Sequence, residues 1–365
     1  MNEWTGHVTI FSLLVLAAIG LSACGSESVD GSAASAGPDT SSCTFTNPIA
    51  DGADPWVVRK DGWYYSVASS EDGLSVYRSK MLTDPHRNEV RVWEAPDEGW
   101  NQDHVWAPEL HFVNGRWYIY YAAGKAGPPY IHQRSGVLQS AGTDPQGEYE
   151  EKGRLYTGDD LSAKTENIWA IDVTVGRIDG QLYAVWSGWK ENRSDDATPQ
   201  HLYIAEMENP WTMGSDRVRI SSPTAPWEQG TELDLNEGPT ILKHDGEVFI
   251  LYSARESWLP AYKMGQLRLS DPSDDPLNPD NWTKTGPVFQ GTDEVHGVGH
   301  ASFTTSPDGS ENWIVYHTKK DTEPGWDRYI FTQPFTWGED GNPQFGTPVP
   351  PDSVLAVPSG QNGCP

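Results

Sequence analysis

Five polar residues recur at the start of apolar, strand-like runs of the sequence: Asp54, Glu109, Asp172, Glu237 and His300. Each lies just ahead of an Asn-Gly or Asp-Gly pair. Asp54 is 7 residues before Asp61, Glu109 5 before Asn114, Asp172 7 before Asp179, Glu237 8 before Asp245 and His300 8 before Asp308. Two carboxyls facing each other across a pocket are the minimum for cutting a glycosidic bond. One protonates the leaving oxygen, and the other activates water or attacks the anomeric carbon. Crowded carboxylates also repel one another's charge, which keeps at least one protonated near neutral pH, as a general acid must be. Asp54, Asp172 and Glu237 supply such a set. Glu109 reads as an acid that satisfies backbone groups and is left out of the chemistry. No His and Cys cluster has zinc-like spacing, and no contiguous calcium loop is visible.

Asp54 and His300 are 246 positions apart (300 − 54), so this chemistry needs a fold that gathers distant strand ends. The turn pairs provide it. Asp61-Gly62, Asn114-Gly115, Asp179-Gly180, Asp245-Gly246 and Asp308-Gly309 each separate two apolar runs, at intervals of 53, 65, 66 and 63 residues. Such pairs favour the positive-φ turns of hairpins, and the Tyr, Trp, Val and Ile after them favour strands. Further strands follow each hairpin, as in Leu74–Arg78 and His201–Ala205. Five near-equal units of four strands, with no long amphipathic helix, predict an all-β, five-bladed β-propeller with four-stranded antiparallel blades rather than a sandwich. In a propeller the innermost strands crowd around the axis, so all five polar residues converge at one face. Most Trp residues, such as Trp63, Trp117 and Trp313, fit packing between blades, whereas Trp106 and Trp169 lie beside the acids and could stack on a sugar. The segments 124–136, 188–200 and 255–263 are expected to wall the pocket.

The chain has 365 residues, 36% of them hydrophobic, which allows a sizeable core, and a formal charge of −27, which repels phosphate. Nucleic-acid partners are excluded on this ground. A neutral polysaccharide is not, and the acidity itself fits solubility or life in salt. Val8 to Ala23 is an apolar run too short to span a bilayer, suiting a secretory segment (residues 1–23), although no Lys or Arg precedes it. Leu21-Ser22-Ala23-Cys24 resembles a bacterial lipobox, with Cys24 as the lipidated residue, so membrane contact is expected only through that lipid. Residues 24–44 read as a flexible tether, 45–357 as the propeller and 358–365 as a tail. Cys43 and Cys364 flank the folded region and could form a disulfide in an oxidising compartment. The expected product is an exported lipoprotein, anchored to the cell envelope or released extracellularly, that acts as a monomer.

Taken together, Ala53-Asp54-Pro55, Trp106-Ala107-Pro108-Glu109, Trp169-Ala170-Ile171-Asp172, Asn236-Glu237-Gly238-Pro239 and Gly299-His300-Ala301-Ser302-Phe303 resemble glycoside hydrolase family 43. The similarity runs from about Asn47 to Pro348. It implies that Asp54 is a general base, Glu237 a general acid and Asp172 the third carboxylate that keeps the acid protonated. It further implies that Arg328 touches the terminal sugar, and that His300 contacts substrate or a structural calcium ion on the axis. No cofactor is otherwise required. The branch most resembled is that of α-L-arabinofuranosidases and arabinanases, acting on arabinan or arabinoxylan with inversion. A β-xylosidase and a non-catalytic glycan-binding propeller are the alternatives. Inversion predicts carboxyls roughly 6.5–9.5 Å apart.

Overall fold

The computed structural model describes residues 43–365 apart from Glu71 and Thr165. The apolar leader, Cys24 and the tether up to residue 42 lie outside the described residues. Five antiparallel sheets follow one another along the chain as the blades of a propeller. Blade 1 is Trp56–Lys60, Trp63–Ser70, Gly73–Ser79 and Val90–Glu94, and blade 2 is Asp103–Val113, Arg116–Gly124, Arg134–Ser140 and Tyr149–Arg154. Blade 3 comprises Ala170–Ile178, Gln181–Gly188, His201–Asn209 and Val218–Ser221; blade 4 comprises Asn236–His244, Glu247–Ala254, Lys263–Leu269 and Trp282–Gln290. Blade 5 has three strands, His296–Thr305, Asn312–Lys319 and Arg328–Trp337. Its outermost strand is Ala50–Asp51 from the other end of the chain, paired Ala50 to Ile330 and Asp51 to Tyr329. That exchange closes the ring.

The hairpin chemistry explains the first two strands of each blade. Asp61 and Gly62 have φ of 51° and 73°, Asn114 and Gly115 50° and 81°, Asp179 and Gly180 44° and 82°, Asp245 and Gly246 48° and 90°. Both central residues of a type I′ turn need positive φ, and Asn, Asp and Gly tolerate it. The fifth pair differs from expectation. Thr305 pairs with Asn312, so residues 306–311 make a longer loop, in which the Asp308 carboxylate accepts from the Ser306 and Ser310 hydroxyls.

Five separate apolar cores lie between neighbouring blades, including one that closes the ring. Tyr65, Val67 and Val76 of blade 1 pack on Leu110, Trp117 and Ile119 of blade 2, and Tyr118, Tyr120 and Val137 pack on Val173, Ala184 and Trp186 of blade 3. Val185 and Ile204 meet Ile250 and Leu267 of blade 4, Leu251 and Met264 meet Ile314 and Tyr316 of blade 5, and Val315 and Ile330 return to Val57 and Tyr64 of blade 1. Each full burial of such a side chain is worth roughly 1.5–3 kcal/mol, and the stabilisation is spread around the ring. Trp117 and Trp313 belong to these inter-blade cores, and half-buried Trp63 packs against the core of blades 1 and 2 with the Arg78 and Lys80 cations over its ring.

The ends of the chain are tied to the ring. Cys43 and Cys364 form a disulfide with a Cα separation of 5.3 Å. Thr44 and Phe45 pair with Ala356 and Leu355, so Cys43 and Thr44, predicted as tether, are part of the folded domain. The tail is docked on blade 1, where buried Gln361 accepts from the Leu82 N–H and donates to the Thr83 hydroxyl.

Candidate active site

The innermost strands Trp56–Lys60, Asp103–Val113, Ala170–Ile178, Asn236–His244 and His296–Thr305 stand side by side around the axis. Near the start of each, at the same register, lies a residue in the left-handed region. These residues are Asp54 (φ 50°), Ala107 (41°), Asp172 (55°), Gly238 (55°) and His300 (47°). The pairing breaks at that point in blades 2 to 5, between Trp106 and Glu109, Ile171 and Thr174, Glu237 and Thr240, and Gly299 and Ser302. A bulge of this kind re-aims a side chain out of the sheet, and a non-glycine residue held in such a conformation costs about 1–3 kcal/mol. The left-handed turn recurs in all five blades, four times on a non-glycine residue and once on Gly238.

This frame corrects the sequence alignment of blade 2. Regular pairing resumes at Trp56, Glu109, Thr174, Thr240 and Ser302, opposite Val67, Tyr120, Val185, Leu251 and Val315. Glu109 therefore belongs one step further along the axis than Asp54, and Ala107 occupies the equivalent place. Its expected backbone role also gives way: Glu109 is buried, its Oε2 lies 2.7 Å from His111 Nε2, and burial holds its carboxyl well above the usual range despite the nearby Thr174 hydroxyl. In blade 4 the equivalent place is Gly238, one residue after Glu237. A Cβ there would stand 3.0 Å from the His300 ring, so the close approach requires glycine.

Asp54, Asp172, Glu237, His300 and Arg328 form one group. Asp54 Oδ1 lies 3.1 Å from His300 Nδ1, 3.2 Å from His317 Nδ1 and 3.5 Å from Arg328 Nη1. The Asp54 backbone N–H donates to His317 Nδ1 (3.1 Å), and the His300 backbone N–H donates to the Ser253 hydroxyl (2.8 Å). Burial works to raise the Asp54 carboxyl, but His300, His317 and Arg328 together overcome it and hold it well below the usual carboxylate range. Burial also pushes both imidazoles toward their neutral forms, so Arg328 is the partner that stays charged at neutral pH. Asp54 keeps 24% of its side chain exposed, enough for water to reach it. Beside it, between blades 1 and 5, opens a cavity of about 280 Å³ lined by Asp54, Trp56, Tyr77, His86 and Ile330, among others.

The other two carboxyls are pushed the opposite way. Asp172 is buried and accepts the Gly238 N–H at 2.9 Å; burial, then the charges of Glu237 and Asp54, hold its carboxyl well above the usual range. Burial likewise raises Glu237 from 4.5 to about 7, against the opposing effect of Tyr262 and with a further push from Asp54. The site thus holds one carboxyl committed to the ionised form and two that favour a proton, the division that general base and general acid need.

The two tryptophans expected at the sugar differ. Trp106 is half-buried, edge-on to Tyr130 at 5.2 Å. Trp169 is 3% exposed, lies flat against Trp189 at 4.6 Å and donates its Nε1–H to the Tyr130 carbonyl. It is scaffold for the wall and offers no open ring to substrate. His317 was missed by the sequence reading. The signal for it was a lone histidine in the apolar run Ile314-Val315-Tyr316-His317.

The side chains present do not by themselves make a cage for a calcium ion on the axis. Such an ion takes roughly six to eight oxygen ligands, whereas His300 turns its Nδ1 toward Asp54. Among the described residues no group of three or more His, Cys, Asp or Glu side chains is placed to hold a metal ion.

A propeller whose axis gathers three carboxyls of divided ionisation is built as a glycoside hydrolase, and the chain belongs to glycosyl hydrolases family 43, which matches residues 45–343. It is 35% identical over 338 residues to an extracellular exo-α-(1→5)-L-arabinofuranosidase of Streptomyces avermitilis, covering 88% of this chain and 66% of that protein. It is 34% identical over 285 residues to the enzyme of the same name from Streptomyces chartreusis, covering 76% of this chain and 83% of that one. The crystal structure of an α-L-arabinofuranosidase from Lactobacillus brevis superposes with a TM-score of 0.76 at 32% identity, covering 85% of this chain and 98% of that one. The chain spans just under two thirds of the length of the Streptomyces avermitilis relative.

Proposed function

We propose that this protein is an inverting α-L-arabinofuranosidase that releases terminal L-arabinofuranose from arabinan or arabinose-decorated plant polysaccharide. The observation that carries the reading is the opposed ionisation of Asp54 and Glu237 at one axial site. In this mechanism Asp54 takes a proton from water, and that water attacks the anomeric carbon. As the glycosidic bond breaks, Glu237 gives its proton to the departing oxygen, so the products are a free sugar of inverted configuration and a neutral leaving alcohol. Asp172, held toward the protonated form beside Glu237, keeps negative charge from accumulating next to the acid. Arg328 holds Asp54 ionised and offers guanidinium N–H groups to sugar hydroxyls. The names of the relatives support the choice of sugar, and those described as extracellular support export. The Cys43–Cys364 disulfide agrees with an oxidising compartment. Attachment through a lipid on Cys24, and action as a monomer, belong to the same proposal.

The test is hydrolysis of aryl α-L-arabinofuranoside and aryl β-D-xylopyranoside side by side. Release from the arabinoside alone supports the reading. Release from the xyloside alone replaces it with a β-xylosidase. Binding of arabinan without any cleavage would make the protein a glycan-binding propeller.

A further inference from the structure

The site face carries the five loops that join the second and third strands of each blade. Four of them span residues 125–133, 189–200, 255–262 and 320–327. The last two, on blades 4 and 5, hold an aromatic pair. Among the described tryptophans Trp326 alone is exposed, at 63%, in a protein that otherwise buries or half-buries its indoles. It is held in place: Trp258 packs against it at 5.3 Å, Arg328 lies over its ring with Cζ 5.1 Å from the centroid, and the loop is pinned by the Gly325 N–H donating to the Trp258 carbonyl and by Lys319 Nζ donating to the Gly325 carbonyl. A lone exposed indole is ordinary, but one held rigid by Trp258 and Arg328 beside the axial carboxyls is placed to meet substrate.

Its place relative to the acid decides what it would bind. Trp258 sits in the 255–262 loop between Ser257 and Tyr262, the two side chains that approach the Glu237 carboxyl. Glu237 stands beside the leaving oxygen, so the departing sugar extends from Glu237 toward the rim, where Trp258 and Trp326 bridge blades 4 and 5. The sugar whose bond is cut lies lower, at the axial carboxyls. Resting on the arabinofuranosidase reading, we propose that Trp326, buttressed by Trp258, is the stacking platform for the sugar on the leaving side of the scissile bond. Its ring meets the C–H face of a pentose residue of the polymer, with Arg328 behind it.

The experiment compares wild type, Trp326→Ala and Trp326→Phe on two substrates, α-L-arabinofuranosyl fluoride, which has no leaving sugar, and α-1,5-L-arabinobiose. Loss of an aromatic contact worth about 1.4 kcal/mol is tenfold, so Trp326→Ala lowers kcat/KM on arabinobiose about tenfold, mainly through KM. The fluoride rate stays within about twofold, and Phe recovers most of the loss. An equal fall on both substrates, or no fall on either, overturns the proposal. If the wild type cleaves neither substrate, the arabinofuranosidase reading itself fails. Calorimetric titration of wild type and Trp326→Ala with arabino- and xylo-oligosaccharides then tests the platform alone, and equal affinities overturn it.

Discussion

Replacing Glu237 with glutamine is expected to make the protein more stable, and only in alkaline solution. The carboxyl is 6% exposed and its folded-state value is raised from 4.5 to about 7. Between those values the folded chain binds more protons than the unfolded one, so wild-type stability falls as pH rises through that window and levels off above it. The shift of about 2.5 units corresponds to about 3 kcal/mol of native-state penalty once Glu237 is ionised. Glutamine keeps the shape and removes the charge. It also removes the second contribution to the raised carboxyl of Asp172, which adds to the gain. For a domain of this size about 2 °C accompanies each kcal/mol, so the variant melts roughly 6 °C above wild type at pH 9 and level with it at pH 4. Thermal unfolding followed by circular dichroism at both pH values is the assay. A gap of the same size at both pH values, or a less stable variant at pH 9, would refute the crowding of charge on which the acid assignment rests.

The same ionisation pattern shapes activity. The rate on an aryl arabinoside should decline as pH rises through about 7, a limb that belongs to the coupled Glu237 and Asp172 pair. No acid limb is expected between pH 4.5 and 6, because the lowered Asp54 carboxyl stays ionised there. A profile rising steadily from pH 5 to 8 would contradict both roles. Asp54→Asn should cut kcat by about 10²–10⁴-fold while arabinose binding by calorimetry changes little; retention of more than a tenth of the rate would disqualify Asp54 as the base. Trp169→Ala should destabilise by about 3–5 kcal/mol, as for other buried tryptophans. Trp106→Ala should leave the melting temperature nearly unchanged and raise KM instead. Changing Cys43 and Cys364 together to serine should cost about 2–5 kcal/mol in unfolding experiments, and no loss would mean that the Ala50–Asp51 and Thr44–Phe45 pairings and the docked tail secure the ring without it.

Much of this fold was legible because its turn residues are under strict backbone demands. Four Asn-Gly or Asp-Gly pairs mark type I′ turns that only such residues fill easily, and their spacing gives the blade count directly. Asp308-Gly309 obeyed the letter of that pattern and not its geometry, since three serines stabilise a wider loop there. Asp54, Asp172 and Glu237 were visible for a related reason, each lying 7 or 8 residues ahead of a turn. Counting would have put Ala107, 7 residues before Asn114, in that place; Glu109, only 5 before it, was matched by its charge rather than its register. Ring closure by Ala50–Asp51 was hidden for want of length, two residues being too few for a periodic signal. His317 and the buried face of Trp169 depend on contacts between blades, which neither composition nor spacing encodes.

The most direct test follows the first sugar released from an α-L-arabinofuranoside by proton nuclear magnetic resonance, fast enough to precede mutarotation. Attack by water activated at Asp54, opposite the bond protonated by Glu237, predicts that β-L-arabinofuranose appears first. Early appearance of the α-anomer would mean that a carboxylate, not water, attacks the sugar, and the roles assigned here to Asp54 and Glu237 would be wrong.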